Sequence, residues 1–330
     1  MNILIEGRNL EDYYSKEHES FKNGLRALYS AKCYGEGYPE YDETISSFVG
    51  IKERMFGEEE IDLLITWSTN LIKGVPYSDL DKLNCKKAIM LCDFWSEAEV
   101  DRNAFFTFVV DNHIDYIICL FRYPFHIWEG YPEIHKRLIW LPPSFMPDIF
   151  NDWGNEKQYD VGNLNDGVQV FSSFYPERWK MHQKLIKMQD EGFIKYLHAK
   201  HPGAGFHHND TPLIGKRFSE AINKCKIFVT SGNLTYKNFT SKYVEVMASK
   251  TALFTTNCLD EQLIGLVDGV NCVVINDDNF EEKIKYYLGN EKELKIITEN
   301  GYMLAMERYT CFSQAAYFYR ELREKEAEIC

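Results

Sequence analysis

The sequence predicts an α/β protein of two domains, because short apolar runs alternate with amphipathic stretches of helical length and this alternation starts twice. Helical stretches such as 15–30 and 97–112 separate the first runs. Strands that alternate with helices form parallel βαβ units, whose sheet is buried on both faces. The runs of the first series are MNILIEG at 1–7, IDLLITW at 61–67, KKAIMLCDFW at 86–95 and IDYIICLF at 114–121.

A segment with three prolines, 139–160, separates the two series and has the composition of an extended connection. We therefore predict an N-terminal Rossmann-like domain over 1–150 and a C-terminal one over 151–310, facing each other across a cleft. The strands of the second series are expected near 168–174, 193–198, 226–232 and 272–277, and its helices over 177–191, 216–224, 279–288 and 291–308.

The overall charge argues against a nucleic-acid partner. Lys and Arg number 37 and Asp and Glu number 50 in 330 residues, which gives a net charge of −13. Affinity for nucleic acid comes largely from neutralising phosphates with basic side chains, so such a surface is unfavourable for it. The nine cysteines are irregularly spaced, the first residues lack a signal-peptide pattern, and no apolar run is long enough to span a membrane. We expect a cytoplasmic protein.

Common motifs for phosphate and metal binding are missing. The sequence has no G-x-x-x-x-G-K-[ST], no G-x-G-x-x-G after the first strand, no H-E-x-x-H and no G-x-S-x-G. The stretch HAKHPGAGFHHND at 198–210 holds four histidines, but without fixed helical spacing or a cysteine partner it favours a polar loop. We predict no metal site.

The segment TSKYVEVMASKTALFTT at 240–256 predicts an anion site. A strand over 226–232 ends in a turn, and a helix then begins with Thr240 and Ser241 as N-cap candidates. The free N–H groups at such a helix start, at the carboxyl edge of a strand, suit a diphosphate. Lys237 and Lys242 flank this helix start.

Glu245 lies about one turn into this otherwise apolar helix, where a carboxylate needs a partner. A capping box would place the acid at Tyr243 or Val244 instead. Two interpretations stay open: a salt bridge to a lysine, or a carboxylate that accepts hydrogen bonds from ribose hydroxyls of a ligand whose phosphates bind at the helix start.

Gly7 and Arg8 follow the first strand at the edge where open α/β sheets bind ligands. Glycine lets a phosphate approach the backbone, and arginine pairs with one. A tight turn with a solvated arginine fits these two residues equally well.

The sequence from SKYVEVMASK through GVNCVVIND to GYMLAMERYT resembles the C-terminal donor domain of group-one GT-B glycosyltransferases, and among them the spore-maturation, CgeB-like branch. The correspondence is a helix with a Glu followed by small residues, then a strand, a second strand and closing helices. YDVGNLNDGVQVFSSFYPERWKMHQKL resembles the segment that opens this domain and reaches an arginine before a helix. The resemblance covers about 155–310 and implies two Rossmann-like domains, with a final helix, 311–330, that packs back on the N-terminal domain.

The resemblance also implies the roles of the residues. Glu245 would contact the ribose of a nucleotide-sugar, and Arg178, together with Lys184, would contact the diphosphate. The turn from Thr240 to Lys242 would hold phosphate oxygens, and Tyr243 would also belong to the donor site. The donor would be a UDP-, GDP- or dTDP-sugar, no cofactor or metal would be obligatory, and the acceptor would be a hydroxyl of a saccharide, a cell-surface glycan or a protein glycan.

One departure leaves the stereochemistry open. Many retaining members carry a second acid eight positions before the helix Glu, where this sequence has Lys237. An inverting enzyme would need a base, for which Asp93 is the first candidate and His126 and His113 are weaker ones. Two other functions remain as alternatives: a catalytically silent nucleotide- or sugar-binding module, and a phage-type glucosyltransferase that acts on modified DNA bases.

Overall fold

The computed structural model describes residues 1–13, 15–68, 77–91, 102–122, 125–126, 128–165, 175–200, 213–232, 237–258 and 260–329. The chain divides into two compact units. The first comprises Met1–Leu10, Phe21–Pro142 and Gln314–Cys330, and the second comprises Glu11–Ser20 and Pro143–Ser313.

The first unit holds a six-stranded parallel sheet in the order β2-β1-β3-β4-β5-β6. Its strands are β1 (Ile3–Glu6), β2 (Lys32–Tyr34), β3 (Leu63–Ser68), β4 (Lys86–Leu91), β5 (Tyr116–Cys119) and β6 (Leu138–Trp140). The first helices of the chain are α1 (Glu17–Tyr29), α2 (Phe48–Phe56), α3 (Arg102–Asp111) and α4 (Pro132–His135), with a 3-10 turn at Leu80–Lys82.

The strands of this sheet are almost fully buried, which explains why they are apolar runs and not alternating sequences. Ile3 and Ile5 of β1 belong to a core that also contains side chains of the C-terminal helix. Phe318 of that helix meets Phe21 edge-to-face, with 5.2 Å between ring centroids. The last helix therefore supplies part of the core of the first unit.

The second unit holds a five-stranded parallel sheet in the order β11-β10-β9-β7-β8. Its strands are β7 (Tyr159–Asn165), β8 (Tyr196–Lys200), β9 (Cys225–Thr230), β10 (Ala252–Thr255) and β11 (Val273–Val274). The remaining helices are α5 (Pro176–Asp190), α6 (Gly215–Asn223), α7 (Ser241–Ala248), α8 (Glu261–Ile264), α9 (Phe280–Gly289), α10 (Glu291–Arg308) and α11 (Cys311–Ile329).

The two parallel sheets confirm the predicted α/β class, but one strand lies elsewhere. β7 begins at Tyr159, at the end of the segment predicted to be a connection, and the strand expected near 168–174 falls outside the described residues. The sequence YDVGNLN was misleading because Gly and Asn are poor strand formers. Gly162 is needed there, since a Cβ on it would lie 2.6 Å from the Phe228 ring of the neighbouring β9.

Each sheet reverses its winding at one place, between β1 and β3 in the first unit and between β7 and β9 in the second. Open α/β sheets bind ligands outside the carboxyl ends of the strands at such a switch point. The residues that follow β1 and β9 are therefore where a site is expected. Within the part of the chain described, no helix has the length and apolar character needed to cross a membrane.

Candidate functional site

The connection from β9 to α7 folds tightly at the switch point of the second sheet. Ser231 and Gly232 follow β9, and a Cβ added to Gly232 would lie 2.6 Å from the carbonyl oxygen of Asn238. Only glycine permits this close approach of two backbone segments. The end of β9 and the residues before α7 are thus held together.

Arg178, in the first turn of α5, is anchored at this connection. Its guanidinium is buried and donates from Nε and Nη2 to the carbonyl oxygen of Ser231, at 3.1 and 2.6 Å. It also lies over the Tyr175 ring, 4.1 Å from the centroid. Burial lowers the pKa of Arg178, an effect that the nearby Tyr175, Tyr243 and Glu245 side chains oppose. A positive charge is therefore fixed at the carboxyl end of β9.

Two hydroxyls, one just after β9 and one at the start of α7, have no partner among the described residues. Thr240 is the N-cap, with an extended backbone, yet its side chain makes no capping hydrogen bond. The Oγ1 atom of Thr240 and the Oγ atom of Ser231 are both buried and unpaired within the described part of the chain. Because buried polar groups are nearly always satisfied, these hydroxyls indicate a place for acceptor atoms of a ligand.

Glu245 forms a salt bridge with Lys242 on the same helix. The Nζ–Oε2 distance is 2.5 Å, and the side chains of Glu245 and Lys242 are 3% and 16% exposed. The ammonium also lies 5.2 Å from the centroid of the Phe218 ring. The structure thus shows the first of the two interpretations of Glu245, a salt bridge to a lysine. That lysine belongs to the first turn of α7.

A segment distant in sequence completes this cluster of charges. Lys16 is buried, and the negative charge of Glu245 is among those that act on it. Burial raises the pKa of the Glu17 carboxyl group, an effect that Lys242 and the hydroxyls of Ser241 and Ser15 oppose. Lys16 and Glu17 were missed because nothing in their local sequence distinguishes them from the start of an ordinary helix. Their role depends on which helix they meet.

The other predicted donor residues have different surroundings. Tyr243 is fully buried, with its ring 5.3 Å from that of Phe239, and its hydroxyl has no hydrogen-bond partner among the described residues. Its place in the donor site stays a prediction. Lys184 pairs with Asp277 at 2.6 Å. Lys237 is exposed and adopts a left-handed backbone with φ of 45° before α7.

In the first unit, Gly7 and Arg8 follow β1 as predicted by the sequence pattern. The backbone N–H of Gly7 donates to the Tyr34 carbonyl at 3.0 Å, and the Arg8 guanidinium pairs with Glu36 at 3.0 Å on the surface. Both contacts belong to a tight turn with an exposed arginine, which was the alternative interpretation of these residues.

Glu6, the last residue of β1, is a buried carboxyl group that the sequence analysis missed. The Thr66 hydroxyl donates to it at 2.5 Å, and burial raises the pKa of Glu6 to about 7 despite that bond and a bond from the Trp67 backbone. A single acid at the end of an apolar strand carries no local signal of this environment.

Two of the three predicted catalytic residues, His126 and His113, belong to the described part of the chain. Asp93 lies outside the described residues. His126 is exposed in the segment that follows β5. His113 immediately precedes β5, in a left-handed conformation with φ of 53°, and so lies at the amino edge of the sheet, opposite to the edge where a ligand is expected. The prediction for His113 is therefore corrected. In the described part of the chain, no three His, Cys, Asp or Glu residues are placed to hold a metal ion.

A family model described as glycosyl transferase-like matches residues 178–320, which begin at Arg178 and include all of α7. This segment is a glycosyltransferase-like domain. The match confirms the predicted enzyme class, a glycosyltransferase. A search of curated proteins finds no match to the chain.

Solved structures of similar fold cover nearly the whole chain. A glycosyltransferase from Rickettsia africae has a TM-score of 0.64 at 10% identity, with 98% of each chain covered. Sucrose-phosphate synthase from Thermosynechococcus elongatus has a TM-score of 0.63 at 11% identity, over 99% of this chain and 100% of that one. HepE from Anabaena, in complex with UDP, has a TM-score of 0.60 at 10% identity, over 98% and 100%. At these identities the likeness shows the fold, which is the predicted GT-B fold.

Proposed function

We propose that this glycosyltransferase uses a nucleotide-sugar donor whose diphosphate binds at the carboxyl end of β9. The observation that carries the proposal is a pair of buried hydroxyls that have no partner among the described residues: Ser231, whose carbonyl binds Arg178, and Thr240, at the start of the helix that holds Lys242. Hydroxyls and free backbone N–H groups donate to phosphate oxygens, and the two cations balance their charge. The Anabaena relative crystallised with UDP and glucose supports a UDP-sugar as the first donor to test.

Glu245 has a second role in this proposal. Lys242 now engages one of its carboxylate oxygens, Oε2. A diphosphate at the start of α7 would attract Lys242 and release the Glu245 carboxylate, which would then accept hydrogen bonds from the ribose hydroxyls. The salt bridge would keep both side chains satisfied while no donor is bound, because a buried charge without a partner is costly.

The chemistry that follows is the departure of a nucleoside diphosphate. Arg178, Lys242 and the N–H groups of α7 would stabilise the charge that develops on the leaving phosphate as the bond to the sugar breaks. The acceptor would be a hydroxyl of a saccharide or glycan, with Asp93 or His126 as the base if the reaction inverts. We also propose that the chain belongs to the CgeB-like branch, on its sequence resemblance over about 155–310.

A panel of UDP-, GDP- and dTDP-sugars tests the proposal. The purified protein is expected to show a thermal shift with one nucleotide, slow hydrolysis of its sugar and faster turnover with glycan acceptors. Binding without hydrolysis or transfer across the panel would favour a silent binding module. Failure of every nucleotide to bind would overturn the proposed site.

A control variant tests whether donor binding depends on Glu245 in particular. Glu299→Ala removes another acid of the second unit, one that is paired with Lys250 at 3.4 Å and lies on α10. This variant should bind donor as tightly as the wild type does, whereas Glu245→Ala should bind it about tenfold more weakly.

A further inference from the structure

A cavity lies at the amino edge of the first sheet, where its strands begin. It has a volume of about 420 Å³, within the range of small-molecule sites. Its wall includes the first residues of three neighbouring strands and side chains of the C-terminal helix: Leu63 of β3, Lys86 of β4, Tyr116 of β5, and Tyr319, Leu322 and Arg323 of α11. All of them belong to the first unit. The cavity is therefore separate from the switch point, which lies at the opposite, carboxyl edge of this sheet.

The hydroxyl of Tyr116 is a polar group of the cavity wall that lacks a partner. Tyr116 is 2% exposed, and its hydroxyl makes no hydrogen bond with the described residues. Buried polar groups are nearly always satisfied, so this hydroxyl indicates a partner that the described part of the chain does not supply. Burial raises the pKa of Tyr116 to about 12, so the phenol keeps its proton at neutral pH and can both donate and accept a hydrogen bond.

The charged side chains around the cavity are already engaged. Lys86 pairs with Asp115 at 2.9 Å, and Arg323 pairs with Glu326 at 3.0 Å. Asp62, which also belongs to the wall, accepts a hydrogen bond from a backbone N–H at 2.6 Å. An ionic ligand would have to compete with one of these partners, so the wall favours a ligand without net charge.

The rest of the wall is apolar. Leu63 and Leu322 are buried members of the core of the first unit. The Tyr319 ring stacks with the Tyr29 ring, with 4.9 Å between their centroids. Apolar and aromatic side chains gain free energy when apolar groups of a ligand cover them. The cavity therefore suits a ligand that carries hydroxyls on a frame of C–H groups.

We propose that this cavity is a binding site for a neutral saccharide, which packs its C–H groups on Leu322 and Tyr319 and exchanges hydrogen bonds with Tyr116. Sugar hydroxyls both donate and accept, so they can bond to the phenol, the carboxylates and the cations without breaking the ion pairs. A wholly apolar ligand would remove water from these groups without replacing its hydrogen bonds. The cavity belongs to the first unit and the proposed donor site to the second, so each can be tested without the other.

Titrations followed by saturation-transfer NMR measure the affinities of the wild type and its variants for glucose, N-acetylglucosamine and maltose. The wild type should bind at least one of these sugars, and should bind the charged sugars glucuronate and glucosamine more weakly. Tyr116→Phe removes only the hydroxyl, so it should fold as the wild type does and bind the neutral sugar about fivefold more weakly. Tyr286→Phe is the matched control, because it removes a hydroxyl from an exposed position of the second unit; its affinity for the sugar should change less than twofold.

A second variant keeps the test decisive if Tyr116→Phe folds poorly. Arg323→Ala changes an exposed side chain of the cavity wall, so it should leave the core intact and weaken binding of the neutral sugar about threefold. Failure of all three neutral sugars to bind would overturn the inference. Equal sugar affinity of the wild type, Tyr116→Phe and Arg323→Ala would overturn it as well, because the sugar would then bind elsewhere. A preference for a charged sugar would contradict the proposed ligand class.

Discussion

The residues at the ends of β1 and β9 occupy the same topological position, a switch point of a parallel sheet, yet their polar groups are satisfied in opposite ways. At the end of β1, the buried carboxyl group of Glu6 receives a hydrogen bond from Thr66, and burial brings its pKa to about 7. At the end of β9, Arg178 and Glu245 are buried charges, Glu245 pairs with the half-buried Lys242, and two hydroxyls lack partners in the described residues.

The difference shows that topology alone does not make a site. The end of β1 closes with internal hydrogen bonds around a group that is partly neutral near pH 7. The end of β9 keeps a salt bridge between side chains, a buried guanidinium, and two hydroxyls without a partner in the described residues. Buried charges and hydroxyls without partners destabilise a protein that has no ligand, and the binding of a charged ligand would offset that loss of stability.

The largest expected effect comes from Arg178→Lys. Lysine keeps the charge but cannot make the two bonds that the guanidinium makes to the Ser231 carbonyl, so the connection before α7 should loosen. We expect UDP affinity to fall about a hundredfold, or about 2.7 kcal/mol. The comparison would break if Arg178→Lys bound UDP as the wild type does.

Glu6→Gln tests the end of β1 through the pH dependence of stability. The pKa of Glu6 is raised in the folded protein, so its contribution to stability is fully present below its ordinary pKa of 4.5 and is lost as the pH rises through about 7. Relative to Glu6→Gln, the wild type should lose about 2 kcal/mol of unfolding free energy between pH 5.5 and pH 8.

Denaturant titrations of the wild type and Glu6→Gln at several pH values measure this loss. Parallel profiles for the two proteins would mean that Glu6 is ionised without cost in the folded protein, and the contrast between the two strand ends would then disappear.

The sequence predicted the type of secondary structure better than it predicted which side chains contact each other. Buried strands such as Leu63–Ser68 and Lys86–Leu91 were found because apolar runs bounded by turns are typical of parallel sheets. Glu245 was singled out because a charge on an apolar helix needs a partner. That partner, Lys242, is three residues away and could be proposed only as one of several lysines.

Contacts distant in sequence could not be predicted. Glu17 lies near Ser241, and Thr66 donates a hydrogen bond to Glu6, only in the folded chain. No local sequence pattern predicts either contact. His113 was misplaced for a related reason: a histidine beside a strand can lie at either end of the sheet, and only the exact start of β5 at Tyr116 shows which.

Ser231→Ala is expected to have the smallest effect on stability. Its hydroxyl has no partner in the described residues, so its removal should change the unfolding free energy by less than about 0.5 kcal/mol while weakening UDP binding about fivefold. The matched change at the other strand end, Thr66→Val, removes a hydrogen bond to a buried acid and should cost about 1–2 kcal/mol of stability. Equal costs for the two variants would contradict the comparison.

The most direct test of the central claim combines Glu245→Ala with a change in the ligand. The affinities of the wild type and the variant are measured for the nucleoside diphosphate that binds best and for its 2′,3′-dideoxy analogue, with Glu299→Ala as the control. The wild type and the control should prefer the ribose form about tenfold, a preference worth about 1.4 kcal/mol, and Glu245→Ala should bind both ligands equally. If Glu245→Ala loses stability but keeps the preference, then Glu245 serves only its salt bridge with Lys242, and the donor site does not lie where we place it.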